Sequence, residues 1–489
     1  MQTLSYADVK PSKSFYDFNS ILKVVNVFLC TLTIYVYSIE GANEYVNTFT
    51  IVLAIIIALE NIGMLFYEKR TSNPFIIILV FITTVFYIAR VTTLVSIPSS
   101  ETFDRDSITY IDLNYALIFI FFSNASIFFG FYISRVLNFK HVKIKRTTYS
   151  FGKTRNLLVI LLFAILLVII GSMGISLGGM IDFFVVTFFH SEVIFLFTFA
   201  FIAYHYENIP RIVLWIVILL ILLFIFFVTI AGSRSGILTA GYLLLISILV
   251  VKQRFLVSKT IVLISLMLIP ISIFLYIVST FNRDLELKET NAANLFKLVI
   301  EENIFDWEKA NFFLGKIYQR IGFLDYTTSL IKNKEKFTEV INPVYYTKSI
   351  IDNVLTPGFD IFNTTKASHT LGPLARGEVI PTRIEAEKIY NSDMMGVYGE
   401  YYVMFFGYPA LVVIFLLAFG FQRIYDSLGI ISLPTFMSKV LIVAIFYTWV
   451  NSFGSDWIAI ELVSTISTAF LLKSFYYTHN KRKYYVYKS

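Results

Sequence analysis

The sequence predicts an all-α polytopic membrane protein with about twelve transmembrane helices and a large outward (periplasmic) loop between the ninth and tenth. Three observations predict it. Of the 489 residues, 57% are hydrophobic and only 15% charged, with a mean hydropathy of +0.73, a balance found in bilayer-spanning chains. Apolar runs about twenty residues long recur along the chain, the length a helix rising ~1.5 Å per residue needs to cross a hydrocarbon core ~30 Å thick. Between Thr280 and Asp393 that pattern stops, and Arg283, Lys297, Arg320, His369, Arg376 and Arg383 stand among carboxylates and turn residues.

Taken in order, the expected spans are Ser20–Ile39, Tyr45–Phe66, Pro74–Ile97, Ile111–Ser134, Arg155–Ile175, Phe184–Tyr204, Ile212–Ile230, Ile237–Val251, Thr260–Ser279, Met404–Phe421, Val440–Phe453 and Trp457–Phe475. The sixth contains His190, Ser191 and Glu192, so Ile181–Phe189 reads equally as a short interfacial helix. The first run begins near Asn19, is as long as a bilayer span and lacks a small-residue cleavage site, which argues against a cleaved signal. The single cysteine, Cys30, lies inside it and excludes an intramolecular disulfide.

Charge sets the orientation. Alternate short loops hold Lys69–Arg70, the block from Arg135 to Lys153, Arg211, Lys252–Lys259, Arg423–Lys439 and the tail Lys481–Lys483, whereas the other set holds mainly Arg105 and Arg234. By the positive-inside rule the first set, with both termini, is cytoplasmic. The net charge of +7 therefore reads as a topology signal, not as a nucleic-acid footprint. The organisation is then 1–279 with nine spans, 280–403 as an outward loop domain, periplasmic in a bacterium with an outer membrane, and 404–489 with three spans and a basic cytoplasmic tail.

An ionised side chain at the bilayer centre costs about 2.5–3.5 kcal/mol on insertion scales, so the polar stretch belongs outside the hydrocarbon. Within it Ile300, Ile304, Trp307, Ala310, Leu314, Ile317, Ile321 and Leu324 recur at spacings of three and four, an amphipathic helix that lies along the membrane surface or caps the bundle. Asn342–Pro343, Pro357–Gly358, Gly372–Pro373 and Pro381 punctuate the section after it. No phosphate-binding glycine loop, zinc-type Cys/His spacing or G-x-S-x-G turn is present. Neither a cofactor nor a metal is expected.

Gly232–Ser233–Arg234–Ser235–Gly236 joins the seventh and eighth expected spans on the outer side. Its glycines and serines let the backbone turn tightly around a ligand, and Arg234 offers a fork suited to phosphate oxygens. A short hairpin with a snorkelling arginine is the bland alternative. A second element is Gly399–Glu400, followed by aromatic residues and Gly407 at the start of the tenth span. In these two elements and in architecture the chain resembles the oligosaccharide repeat-unit polymerases (Wzy, O-antigen polymerase) and, more distantly, the O-antigen ligases. Phe406 stands where the family has Asn, and Pro409 close to where a second Gly is usual.

That resemblance implies a GT-C-like helical glycosyltransferase, metal-independent, that takes a glycan linked through diphosphate to undecaprenol and transfers it to the terminal sugar of another lipid-linked unit. The partners it implies are that lipid-linked glycan, membrane lipid and a chain-length regulator protein. Such chemistry needs fixed cations for the departing diphosphate and a base for the acceptor hydroxyl. Arg234 with Ser233, and Arg320, are the candidates for the diphosphate; Arg376 and Arg383 for glycan or diphosphate; His369, Glu400 and Asp325 for the base, with Glu378 a further carboxylate. Each has a bland reading beside it: a solvated helix face for Arg320, a solvated loop for His369. Arg90, about two turns from the outer end of the third span, either snorkels outward or demands a partner, water or ligand. A ligase would share this topology and differ in acceptor. A flippase of lipid-linked glycan would instead carry paired halves and charges along a central path.

Overall fold

The computed structural model describes residues 15–71, 73–96, 108–137, 151–172, 191–205, 209–230, 256–258, 322–352, most of 361–370, 374, 396–428, 433–451 and a few positions between 458 and 466. Along them the chain is nearly all helical. The helices are α1 Phe18–Glu40, α2 Thr48–Thr71, α3 Pro74–Thr83, α4 Ala89–Ser96, α5 Tyr110–Val136, α6 Phe151–Ser172, α7 Ser191–His205, α8 Arg211–Ile230, α9 Phe323–Lys332, α10 Lys334–Val340, α11 Pro343–Ile350, α12 Gly396–Met404, α13 Ala410–Ser427 and α14 Leu433–Asn451. A short antiparallel pair joins β1 (Phe15–Asp17) to β2 (Leu256–Ser258), with Phe15 opposite Ser258 and Asp17 opposite Leu256.

Five helical stretches are long and apolar enough to cross a membrane: Phe18–Glu40, Thr48–Glu68, Pro74–Val95, Tyr110–Val136 and Ala410–Ser427. They fall on the first four and the tenth expected spans. Shorter apolar helices, Asn156–Ile170, Arg211–Phe224 and Phe436–Asn451, fall on the fifth, seventh and eleventh. The eighth and ninth expected spans, and most of the twelfth, lie outside the described residues.

Local chemistry sets the helix ends. Asn73 accepts from the Phe75 amide ahead of Pro74, whose missing N–H is one the first turn leaves unpaired anyway. Asp112 accepts from the Thr109 amide at 2.9 Å, one half of a capping box. Gly41, at φ +77°, closes α1 by donating to Tyr37 O. The third expected span is not one regular helix: Thr84–Ile88 forms a π-turn between α3 and α4. Thr83 and Thr84 donate their hydroxyls to Leu79 O and Val80 O at 2.8 and 2.7 Å, competing with the regular ladder where it widens.

α5 and α13 lie side by side and parallel. Phe119 meets Tyr408, Gly130 meets Ala418, and Arg135 approaches Asp426. A Cβ on Gly130 would stand 2.7 Å from Phe415 O, so glycine permits this approach. Around it Phe75, Phe131, Tyr425 and Phe446 pack with ring centroids 4.8–5.5 Å apart, tying α3, α5, α13 and α14 together. The tenth span starts at Ala410, later than the expected Met404. Phe406 (φ +61°) and Gly407 (φ +105°) break the helix between α12 and α13.

Candidate functional site

α9 comes from the long polar stretch, yet every residue from Phe323 to Leu330 is buried. Its neighbours are α5, the π-turn and α12, so this part of the stretch is packed into the helical bundle. Two glycines of α12 allow it. A Cβ on Gly399 would meet Leu330 Cδ1 at 2.8 Å and Thr327 Cα at 3.0 Å. Gly396 adopts φ +64°, and a Cβ there would stand 2.3 Å from the Tyr87 hydroxyl.

This packing delivers Asp325 to Arg90. Arg90 Nη2 donates to Asp325 Oδ2 at 2.6 Å, and Nε donates to the same carboxylate at 3.0 and 3.2 Å, with both side chains 3% exposed. Nη1 donates to Thr93 Oγ1 at 3.3 Å. Of the two sequence readings for Arg90, snorkelling and partnering, the structure shows a partner: a bidentate, shielded ion pair between residues 235 positions apart. Lys332, at the far end of α9, lies 3.5 Å from Asp112 at the start of α5, a second and more exposed clasp at the same end of the bundle.

Beside the pair runs a polar seam. Tyr398 donates to Asn124 Oδ1 at 2.5 Å, and its ring meets Tyr87 edge-on at 5.2 Å. Asn124 Nδ2 faces Glu60, and the Tyr87 hydroxyl faces Thr327. Yet Glu60 Oε2, Asn124 Nδ2, Tyr87 Oη and Thr327 Oγ1 are all buried without a hydrogen bond of normal geometry among the described residues. The four groups thus face one another in two polar pairs inside an otherwise apolar bundle. Tyr87 lies in the π-turn and Arg90 two residues beyond it, and such turns recur at functional sites. Sequence reading missed Glu60, Asn124, Tyr87 and Tyr398. The available signal was Glu60 itself, an ionisable residue within the second span.

Glu400 is fully buried in α12, one residue past Gly399. His369 is part-exposed and donates its backbone N–H to Lys366 O at 3.0 Å. Its sequence neighbour Ala367 belongs to a small second core with Tyr326, Leu330, Phe337, Ile341, Tyr346, Leu374 and Val403. Two hydrogen bonds shape its segment: Asp352 accepts from the Thr364 amide at 2.8 Å, and Tyr345 donates to Thr365 O at 2.8 Å. Arg90, Asp325 and Glu400 are thus brought to α9 and its neighbours. Ser233, Arg234, Arg320, Arg376, Arg383 and Glu378 lie outside the described residues, as does nearly all of the expected helix from Ile300 to Leu324. No protein-family model, curated protein or solved structure matches the chain.

Proposed function

We propose that the chain is a membrane glycosyltransferase that polymerises undecaprenyl-diphosphate-linked oligosaccharide repeat units at the outer face of a bacterial inner membrane. The observation that most supports this reading is a convergence. Three positions singled out in sequence, Arg90 in the third span, Asp325 in the polar stretch and Gly399–Glu400 ahead of the tenth, meet around α9 in a helical bundle.

In the proposed reaction the acceptor sugar's hydroxyl oxygen attacks the anomeric carbon of the donor glycan. The carbon–oxygen bond to the diphosphate breaks, its electron pair leaves with undecaprenyl diphosphate, and the hydroxyl proton passes to a base on the protein. Among the described candidate bases His369 is the part-exposed one, since Asp325 is committed to Arg90 and Glu400 is fully buried. Arg234, Ser233 and Arg320, with Arg376 and Arg383, would hold the diphosphate as its charge develops. Arg90 and Asp325 position α9 and, through it, the end of the bundle.

Purified full-length protein incubated with undecaprenyl-diphosphate repeat units is expected to yield products longer by whole repeats. Arg234→Ala is expected to abolish them, and chelators to leave them unchanged. A deletion strain is expected to carry single-repeat glycan on lipid A–core. Bare core in that strain, with no polymer formed in vitro, would favour a ligase or flippase instead.

A further inference from the structure

Where α12 gives way to α13 the backbone passes through two left-handed residues, Phe406 and Gly407, and Lys334, the first residue of α10, reaches this break. Its ammonium lies 5.9 Å from the centroid of the Tyr402 ring. A Cβ on Gly407 would stand 3.3 Å from the same nitrogen, so glycine leaves the ammonium its room. We propose that Lys334, walled by Tyr402 and Tyr408, binds the phosphate group of a lipid embedded in the bilayer.

Charge, position and shape each point there. Lys334 is part-buried, yet among the described residues its ammonium makes neither an ion pair nor a hydrogen bond, the nearby carboxylate Asp112 being engaged by Lys332 at 3.5 Å. An ammonium has three N–H groups to give and binds phosphate as a point charge. Shortly past Gly407, Ala410 opens the apolar span that runs to Ser427, which puts the cation at the level where headgroups meet the first turn of a spanning helix. Tyr402 meets Tyr408 edge-on at 6.0 Å and Phe119 of α5 at 4.7 Å, so the wall beside the ammonium is anchored in the bundle. Tyr408, Val412 and Leu416, at successive turns, are 48%, 61% and 57% exposed, and a lipid tail lying along them would bring its phosphate to Lys334. The left-handed Phe406 beside Gly407 adds backbone strain of the kind that collects at ligand clamps. The site stands on this geometry; that its lipid is the glycan donor rests on the reaction proposed above.

The test loads the full-length protein, in lauryl maltoside micelles that carry no phosphate, with undecaprenyl diphosphate, phosphatidylglycerol or undecaprenol, and counts retained lipid by native mass spectrometry. The wild type is expected to retain a phosphate-bearing lipid and not undecaprenol. Lys334→Gln is expected to weaken that binding about tenfold or more, the scale of one charge-assisted hydrogen bond. Lys334→Arg is expected to keep most of it, and Lys348→Gln, an exposed cation elsewhere, to leave it intact. A loss confined to undecaprenyl diphosphate identifies the ligand as the donor lipid; an equal loss for phosphatidylglycerol identifies it as bulk lipid, whether or not the protein polymerises glycan. On the wild type, acetylation by a water-soluble N-hydroxysuccinimide ester is expected to slow at Lys334, and not at Lys348, when the lipid is bound. Equal retention of undecaprenol, an unchanged affinity in Lys334→Gln, or acetylation of Lys334 indifferent to bound lipid overturns the site.

Discussion

At the scale of single residues, the Arg90–Asp325 pair separates architecture from chemistry. Removing one partner strands a charge inside the bundle, which costs about 3–5 kcal/mol, whereas replacing both by apolar residues of similar volume is often neutral or stabilising. Asp325→Ala is therefore expected to lower the unfolding midpoint sharply, and Arg90→Met/Asp325→Leu to restore it. If the restored variant also makes a full polymer ladder, the pair only positions α9; if it is stable but inactive, one of the two charges serves the reaction. Phe406 gives a second test. Its φ of +61° is a left-handed conformation that costs a non-glycine residue about 1–2 kcal/mol and that Asn tolerates better. The Asn expected by resemblance at this position thus has a conformational reason. Phe406 is 56% exposed, so little packing is lost on replacing it, and Phe406→Asn is expected to raise stability by about 1 kcal/mol in thermal unfolding. An unchanged midpoint would mean that contacts of the Phe ring already offset the strain.

At the scale of elements, close approach between helices rests on particular glycines and not on glycine in general. Gly130 faces the α13 backbone, where an added Cβ would lie 2.7–2.9 Å from its nearest neighbours. Because backbone cannot swing aside, Gly130→Ala is expected to push α5 from α13 at a cost of about 1–3 kcal/mol. Gly63 and Gly420 have nothing within 4 Å of the same position, so alanine there is expected to be neutral or to stabilise by about 0.5–1 kcal/mol through helix propensity. Equal effects at all three sites, read by thermal unfolding, would refute this account of the packing. The same contrast explains what could be read in advance. The first four expected spans and the tenth were legible, because twenty apolar residues in a row have few other uses. The π-turn was not, since a uniformly apolar run carries no period to reveal it. Nor was the burial of α9: Asp325 belongs in an apolar bundle only because Arg90 waits for it, and a partner so distant in sequence leaves no local trace.

At the scale of the whole molecule, helix directions constrain the topology independently of charge counting. α5 and α13 run parallel, so if both cross the membrane an odd number of crossings separates them, the parity of the spans expected between the fourth and the tenth. β1 pairs with β2, which places Asp17 and Leu256 on one side. An even number of crossings then lies between them, the parity of the first eight expected spans. With Cys30 replaced by Ser, Asp17→Cys/Leu256→Cys is expected to cross-link on oxidation, because those residues are direct cross-strand neighbours with Cα atoms about 4.5–5.5 Å apart, within disulfide reach. In the same background a membrane-impermeant thiol reagent applied to cells with a permeabilised outer membrane is expected to label Asn363→Cys, in the segment beside His369, and to spare Lys143→Cys and Lys483→Cys until the inner membrane is opened. A protected Asn363→Cys would put His369 and the α9 end of the bundle on the cytoplasmic side. No lipid-linked glycan waiting at the outer face could then reach them, and the polymerase reading would fall with the orientation it requires.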